Sequence, residues 1–454
     1  MSRNDMYIDY GRNRRRPNGG RHLIAILLIV VLAVGLGYVG YRIAGKFLTN
    51  ESQQSGEDTG QHTAYADSDE YSAEGYNRET GIYGLWYFSS EPDNTDTEES
   101  VYAHLDDDMW MADFVDTRNH INAKGLYLSS QKFRSKYADA VKIIDDTELN
   151  AIVIDIKADY GSISYQMDCP TAKEAGALSW TIENVHELLD ELHGKGIYVI
   201  ARVVTMKDPV IGKTRPDLCI KKSDGSLYKD NTGYSWLNPY NSEAWEYIIE
   251  VCKCCAKDGF DEVNLDYIRF PTDKGNVKGD ETIDYGEIPE GVTRIDAISE
   301  GIRRLCEEVK PLGAFVSADL FGAVITSSVD AKIVGQSYFR MAQYLDYLCP
   351  MVYPSHYANG YYNLDYPDCH PYELVYHAMM DSQKVLYMID DVGNKAECRP
   401  WLQDFTASWV KHHLTYGKKE VRDQIQAVYD AGYSGWLLWN AGITYTIDAL
   451  GPPD

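Results

Sequence analysis

The segment FDEVNLDYIRFP, residues 260–271, is a short run of β-forming residues that ends on an aspartate and is closed by an arginine and a proline. Asp266 ends the run, and Arg269 and Pro271 follow in the expected loop. Enzymes built on a (β/α)8 barrel take their catalytic groups from the carboxyl ends of strands and the loops that follow them. The segment therefore predicts a barrel strand with a functional carboxylate at its end.

Seven other short apolar runs surround this one, and segments of helical period separate them. The predicted strands are 125–130, 151–157, 197–204, 262–267, 314–319, 346–353, 384–389 and 434–440. Repeated strand-then-helix units with nearly continuous apolar strands favour a closed parallel sheet over an open one. We therefore expect an α/β protein with a TIM barrel. No Gly-x-Gly-x-x-Gly follows a strand, which argues against a dinucleotide site.

The amino-terminal part differs in composition from the predicted barrel. Residues 23–41 carry no charge, and 19 residues suffice to cross a bilayer as a helix. Five arginines between residues 12 and 21 predict a cytoplasmic amino terminus and an exported remainder. A cleaved signal peptide is the alternative. We predict a basic tail (1–21), a transmembrane signal anchor (22–44), a polar acidic linker (45–116) and a barrel domain (117–454) in the cell membrane, facing outward.

The charge distribution limits the partners. The chain has a formal net charge of −26. Residues 1–46 hold eight basic and two acidic side chains, so they carry +6 and leave −32 for the rest. A strongly acidic domain does not favour nucleic acid as a partner.

Polar side chains at the predicted strand ends suggest a sugar-cleaving site. Asp266 and Asp319 end neighbouring strands, and glycoside hydrolysis requires two carboxyl groups. Arg269 beside Asp266 would hold it ionised, while a drier Asp319 would keep its proton. The alternative is structural, with Asp266 paired to Arg202 or Arg269 in a polar layer. The remaining candidates for substrate binding are Asp155, Lys157, Arg202, Arg269, Trp236, Tyr353, His356, Trp439 and Asn440.

Two further chemistries receive less support. Lys157 could form a Schiff base as in an aldolase, although a salt bridge to a nearby aspartate is the simpler role. The nine cysteines lack zinc spacing, and Cys369 with Cys398 is the most plausible disulfide. Asp155 with Asp159 is only a weak cation candidate. We expect no metal and no cofactor.

Ordered motifs from residue 124 to 441 resemble a known family. They include VIDIKADYG, ARVVTMKDP, WLNPYN, GFDEVNLDYIRFP, VSADLFG, CPMVYPSHY, RPWLQDF and GWLLWNA. Together they resemble the putative glycosyl hydrolase domain family of bacteria, usually on exported or membrane-anchored proteins. The resemblance implies a TIM barrel related to glycoside hydrolases, with Asp266 at the nucleophile position. Several related barrels carry a glutamate acid on strand five, where this chain has Asp319.

These observations predict a membrane-anchored, outward-facing glycoside hydrolase acting on a polysaccharide or a cell-envelope glycan. A carbohydrate-binding or cell-wall scaffold without turnover is the second hypothesis. Such a scaffold would use the aromatic candidates to bind glycans and would not need the paired carboxyl groups.

Overall fold

The computed structural model describes residues 76–77, 82–83, 114, 116–272, 282–389 and 395–453. The predicted tail and anchor, and nearly all of the predicted linker, lie outside these residues. Within the described part of the chain, no helix is both long and apolar enough to span a membrane.

Eight parallel strands close into a barrel, as the sequence predicted. They are β1 (Lys124–Leu128), β2 (Ala151–Lys157), β3 (Tyr198–Val204), β4 (Glu262–Asp266), β5 (Phe315–Phe321), β6 (Tyr347–Val352), β7 (Glu397–Cys398 and Trp401–Gln403) and β8 (Trp436–Trp439). Each pairs with the next in order, and β8 pairs with β1 to close the ring. The carboxyl ends of all eight strands therefore meet at one rim.

Among the residues that the structure describes, seven principal helices connect the strands on the outside. They are α1 (Phe133–Asp146), α2 (Val185–Gly194), α3 (Ser242–Asp258), α4 (Arg294–Val309), α5 (Ser328–Val334), α6 (Pro371–Tyr387) and α7 (Lys418–Asp430). Short helices lie at Pro170–Glu174, Ile211–Thr214 and Tyr338–Met341, and 3-10 turns at Ser130–Lys132, Pro216–Leu218, Lys310–Leu312, Gly322–Ile325, Pro354–His356, Tyr361–Asn363, Pro367–Cys369 and Ile447–Ala449. Two-residue strands pair outside the barrel, Tyr76–Asn77 with Ile82–Tyr83 and Lys221–Lys222 with Ile283–Asp284.

Local sequence explains the helices that flank β4. The Asn241 side chain caps α3 by accepting from the backbone N–H groups of Glu243 and Ala244, and Gly259 ends the helix with a φ of 105°. A Cβ on Gly301 of α4 would lie 2.0 Å from the ring of Trp245, so glycine permits the close packing of α3 on α4. These contacts fix the position at which the chain enters β4.

The seventh strand is not where the sequence predicted it. Residues 384–387 belong to the last turn of α6, and the strand is formed by 397–403 instead. The apolar run KVLYMI continues the buried face of α6, whereas the true strand contains Arg399 and Pro400, which do not resemble a β pattern.

The reason for an arginine in a barrel strand is an ion pair in the barrel interior. Arg399 on β7 donates from both terminal nitrogens to Glu262 on β4, and both side chains are buried. Tyr198 and Ser317 also donate to Glu262, at 3.1 and 2.5 Å. The carboxylate is thereby fully bonded, as a buried charge requires. The interior of this barrel is thus a bonded polar layer beneath the carboxyl-end rim.

Candidate active site

Asp266 lies at the end of β4 and is bound by Arg202 from the neighbouring strand β3. The Arg202 guanidinium donates to Asp266 Oδ2 from Nε at 3.0 Å and also from Nη2. Arg202 is buried, so its positive charge is little screened by water. A carboxylate in this setting is oriented by its ion pair, which suits a nucleophile or a base.

The backbone turns sharply immediately after Asp266. Tyr267 has a φ of 52°, in the left-handed region that non-glycine residues seldom occupy. Its N–H donates to Asp266 Oδ1 at 2.6 Å, so the carboxylate has donors on both oxygens. Strained backbone of this kind collects at functional sites because surrounding structure must hold it there. The strain thus contributes to orienting Asp266.

A second carboxylate shares the same arginine. Asp155 on β2 accepts from Arg202 Nη1 at 2.5 Å and from the Tyr127 hydroxyl at 2.6 Å. Asp159 reaches Arg202 Nη2 more loosely at 3.4 Å. Burial raises the pKa of Asp155, although Arg202 opposes the shift. Asp155 and Tyr127 therefore position Arg202, and through it Asp266.

Asp319 on β5 occupies a much drier environment. Its side chain is 3% exposed, and Oδ1 accepts from the Trp401 indole N–H at 2.7 Å and from Asn264 Nδ2 at 2.9 Å. Burial, together with the negative charge of Asp266, raises the pKa of Asp319 to about 8. Asp319 therefore carries a proton at neutral pH, which is the state required of a general acid.

The strand register brings these two carboxyl groups together. On β4 and β5, Asn264 pairs with Ser317 and Leu265 pairs with Ala318, so the next step along both strands sets Asp266 beside Asp319. Neighbouring strands lie about 4.8 Å apart. The register therefore places Asp266, the last residue of β4, beside Asp319, which lies two residues before the end of β5.

Arg269 does not take the part expected of it. Its guanidinium lies over the rings of Trp236, Tyr267 and Phe321 at 4.7 to 5.1 Å and donates to the Phe270 carbonyl at 2.9 Å. Burial lowers its pKa. The hydrogen bonds to Asp266 come from Arg202 instead, while the charge of Asp266 acts on Arg269 only through space. Arg269 supports the turn from behind.

Trp236 is also buried rather than presented to a ligand. Its indole N–H donates to Asp230 at 3.0 Å, and its ring meets Tyr267 edge to face at 5.8 Å. It therefore packs beneath the turn that follows Asp266.

The other aromatic candidates lie around the mouth. Trp439 at the end of β8 is half-buried and stacks on Tyr127 at 4.3 Å. Tyr353 follows β6 and is buried, with its ring 5.4 Å from the exposed His356. His356 contacts the Ser355 hydroxyl through Nδ1 at 2.9 Å. Trp439 and His356 are thus placed to meet a ligand.

Asn440 is used within its own loop. Its amide nitrogen donates to the carbonyls of Asp404 and Thr444, at 2.5 and 2.7 Å, and its oxygen accepts from Gly442 N–H at 2.7 Å. These bonds fix the loops after β7 and β8. Asn440 therefore shapes the mouth instead of offering a free amide to a substrate.

Lys157 lies below the rim and is completely buried. Its ammonium pairs with Asp208 at 2.9 Å and donates to the Val204 carbonyl at 2.6 Å. The residue thus joins β2 to the segment after β3. This placement removes Lys157 from direct contact with a ligand and leaves it unsuited to Schiff-base chemistry.

The predicted disulfide between Cys369 and Cys398 is wrong, because both thiols are free. Cys398 lies 3.9 Å from the sulfur of Met379 in α6, while Cys369 precedes the amino end of that helix. More than two helical turns, about 12 Å, separate these positions. The described residues also contain no cluster of three or more acidic, histidine or cysteine side chains that could hold a metal ion.

A cavity of about 680 Å³ lies at the opposite, amino end of the barrel. It is lined by residues that precede β1, β7 and β8 and by the last turns of α6. This cavity therefore lies away from the carboxylates. We place the site by its chemistry, because the amino-end face of a TIM barrel commonly contributes to stability.

Sequence reasoning missed several residues that complete the site. Tyr127 orients Asp155, Asn264 and Trp401 bind Asp319, and Gln336 donates to the Asp319 and Ile268 carbonyls at 3.0 and 3.3 Å. One signal was available. Glu262, Asn264 and Asp266 are polar at every second position of β4, which identifies an inward polar face.

Comparisons with known proteins agree with this architecture. A sequence family described as "Putative glycosyl hydrolase domain" matches residues 125–445. A crystal structure of a hypothetical protein from Ruminiclostridium thermocellum is 34% identical, covering 43% of this chain and 96% of that one, with a TM-score of 0.38. No curated protein matches the chain.

Two more distant structures also match, and the first of them is similar in fold. The PgaB (BpsB) glycoside hydrolase domain from Bordetella bronchiseptica is 12% identical, covering 71% of this chain and 95% of that one, with a TM-score of 0.51. The beta-galactosidase from Marinomonas ef1 is 12% identical, covering 72% and 56%, with a TM-score of 0.48. At such identities the likeness concerns the fold.

Proposed function

Because the chain belongs to the family described as a putative glycosyl hydrolase domain, we propose that it is a glycoside hydrolase with Asp266 and Asp319 as its catalytic pair. The observation that carries this proposal is the contrast between the two carboxyl groups. Arg202 stabilises the negative charge of Asp266, whereas burial raises the pKa of Asp319 to about 8. Two neighbouring carboxyl groups with opposite protonation are what glycosidic hydrolysis uses.

In the proposed reaction Asp266 attacks the anomeric carbon, and Asp319 gives its proton to the departing glycosidic oxygen. The C–O bond to the leaving sugar breaks as the bond to Asp266 forms. Asp319 then removes a proton from water, which attacks the anomeric carbon and frees Asp266. The sum is one glycoside and one water converted into two hydroxyl compounds, with both carboxyl groups restored.

The stereochemical course follows from the spacing of the pair. Asp266 and Asp319 lie on neighbouring strands, and the usual strand spacing of about 4.8 Å favours the separation of about 5 to 5.5 Å found in retaining enzymes over the wider spacing of inverting ones. We therefore propose retention. Proton NMR of the anomer that is released first tests this step. A product of inverted configuration would show that Asp266 acts as a base and not as the nucleophile.

The main test is hydrolysis by the purified full-length chain on a panel of neutral and acidic polysaccharides, measured as released reducing ends. Asp266→Asn keeps the shape and removes the charge, so activity should fall by several orders of magnitude. Asp139→Asn, an exposed change on α1, is the matched control and should leave activity intact. Unchanged hydrolysis in Asp266→Asn would refute the proposal. Saturable glycan binding with no product from any polymer would favour a carbohydrate-binding scaffold.

We also propose that residues 23–41 anchor the chain in the membrane and that the barrel faces outward. The uncharged run and the arginines before it support this arrangement. Protease added to intact cells should then remove the barrel and leave a short amino-terminal fragment protected. A barrel that resists protease until the cells are lysed would contradict the orientation.

A further inference from the structure

The loop after β7, residues 404–417, is tied to the barrel by buried polar contacts. The Asp368 carboxylate accepts from the Gln403 side chain at 3.0 Å and from the Leu414 N–H at 3.2 Å. The Tyr416 hydroxyl donates to the Asp368 carbonyl at 3.3 Å. Side chains on this loop are therefore presented from a fixed base at the carboxyl-end rim.

A series of ring contacts leads from the catalytic pair to the outer part of this loop. Burial and the charges of Asp319 and Asp266 all raise the pKa of Tyr353, which stands beside the pair. The Tyr353 ring meets Phe405 edge to face at 5.9 Å, and Phe405 stacks on Trp409 at 6.0 Å with 18° between the planes. The Trp409 side chain is nevertheless 69% exposed.

Exposure alone does not distinguish a binding residue, because single exposed apolar side chains are common on protein surfaces. Trp180 is 64% exposed and serves as the comparison. Trp409 differs in two respects: it lies in the ring series that begins at the carboxylates, and it is carried by an anchored loop. An exposed indole face held in place in this way suits the apolar face of a sugar ring.

The charge of this loop contrasts with that of the whole protein. Residues 404–417 contain one lysine, two histidines and one acidic residue, Asp404, which is buried, while the chain carries −26. Lys411 and His412 are exposed close to Trp409 in the sequence. The exposed charge of this loop is thus the positive charge of Lys411, which can attract an anionic group.

We propose that Trp409 and Lys411 form an outer subsite that binds a sugar residue of an acidic glycan, one bearing carboxylate or phosphate groups. The proposal rests on the proposed hydrolase function and adds to it the class of substrate. Trp409 stacks on the sugar ring, and Lys411 pairs with the acidic group. The glycan chain then extends along the β7 loop from the bond that is cleaved.

Equilibrium binding to full-length Asp266→Asn tests this subsite without turnover. The probes are polygalacturonate, hyaluronate and poly(glycerol phosphate), with dextran, xylan and glucomannan as neutral polymers. At least one acidic polymer should bind. Adding Trp409→Ala should weaken that binding about tenfold or more, as truncating an anchoring tryptophan does. Adding Lys411→Gln should weaken it severalfold at low salt and little at high salt.

Trp180→Ala and Lys142→Gln are the matched controls, and neither should change binding. The subsite is refuted if Trp409→Ala binds like its parent, if only neutral polymers bind, or if no polymer binds. Failure of the hydrolase proposal has a different signature, namely Trp409-dependent binding without hydrolysis by the wild type. If hydrolysis depends on Asp266 but is unchanged by Trp409→Ala, the subsite proposal is rejected and the hydrolase proposal stands.

Discussion

Asp319→Asn should stabilise the protein at neutral pH while removing its activity. In the unfolded chain this carboxyl group ionises near its ordinary pKa of 3.8, but in the folded protein it stays protonated up to about 8. Between these values the folded state holds one more proton than the unfolded state, so stability falls as pH rises. An asparagine does not titrate and escapes that loss. It can also keep both bonds, since Trp401 and Asn264 donate to an oxygen that the amide retains.

The size of the effect follows from the width of this window. Each pH unit costs the folded wild type about 1.4 kcal/mol, so the cost at pH 7 approaches about 4 kcal/mol. The variant and the wild type should be similar in stability near pH 4. As pH rises, the free energy of unfolding of the variant should increase steadily relative to that of the wild type. This difference should level off above about pH 8. Catalysis should drop by about 10²-fold to 10⁴-fold for glycosides with poor leaving groups, because proton donation is lost.

Urea unfolding of both full-length proteins, followed by tryptophan fluorescence between pH 4 and 9, measures this difference. Asp139→Asn is the control, and its stability relative to the wild type should not increase with pH. A difference that stays constant across this range, or a variant less stable than wild type at pH 7, would refute the reasoning. Asp319 would then be ionised in the folded protein and could not donate a proton.

Three further outcomes are expected. Hydrolysis should decline as pH rises through about 8, because Asp319 loses the proton it must donate. A kcat/KM that does not change between pH 6 and 9.5 would contradict this expectation. Arg202→Met should cost about 3 to 5 kcal/mol of stability in denaturant unfolding, because it leaves Asp155 and Asp266 as unpaired buried charges, and adding Asp155→Asn should restore part of the loss. Borohydride should trap no carbonyl substrate on the protein, since Lys157 is buried against Asp208; a reduced adduct found by mass spectrometry would reverse that conclusion.

The sequence was sufficient for the barrel because its strands are apolar runs separated by helical periods. β2 was predicted with its observed bounds, and β4 ended within one residue of its prediction. Strand seven failed because its true segment contains Arg399 and Pro400. An arginine is stable at this position because it pairs with Glu262. That partner is 137 residues away, so the local sequence around Arg399 does not reveal it.

The nearness of Asp266 and Asp319 was predictable for a related reason, since both lie near the carboxyl ends of neighbouring strands. The partner of Asp266 was left open between Arg202 and Arg269, and the structure gives the hydrogen bonds to Arg202 on β3. Arg269 is nearer in sequence, but it donates to the Phe270 carbonyl instead. Sequence distance was therefore a poor guide to the arginine that binds Asp266. The alternation of Glu262, Asn264 and Asp266 was the better guide, because it reports on which side chains share the interior.

The bond from Trp401 to Asp319 has a consequence for synthesis of the chain. Asp319 lies on β5, but the indole that covers it belongs to β7, and β8 must still pair with β1 to close the ring. A ribosome-bound chain that ends after α6 would contain both aspartates and Arg202, yet would leave Asp319 open to water with an ordinary acidity. The last 60 or so residues therefore supply the buried environment that keeps Asp319 protonated. A nascent or truncated chain should be inactive even when every catalytic side chain has been translated.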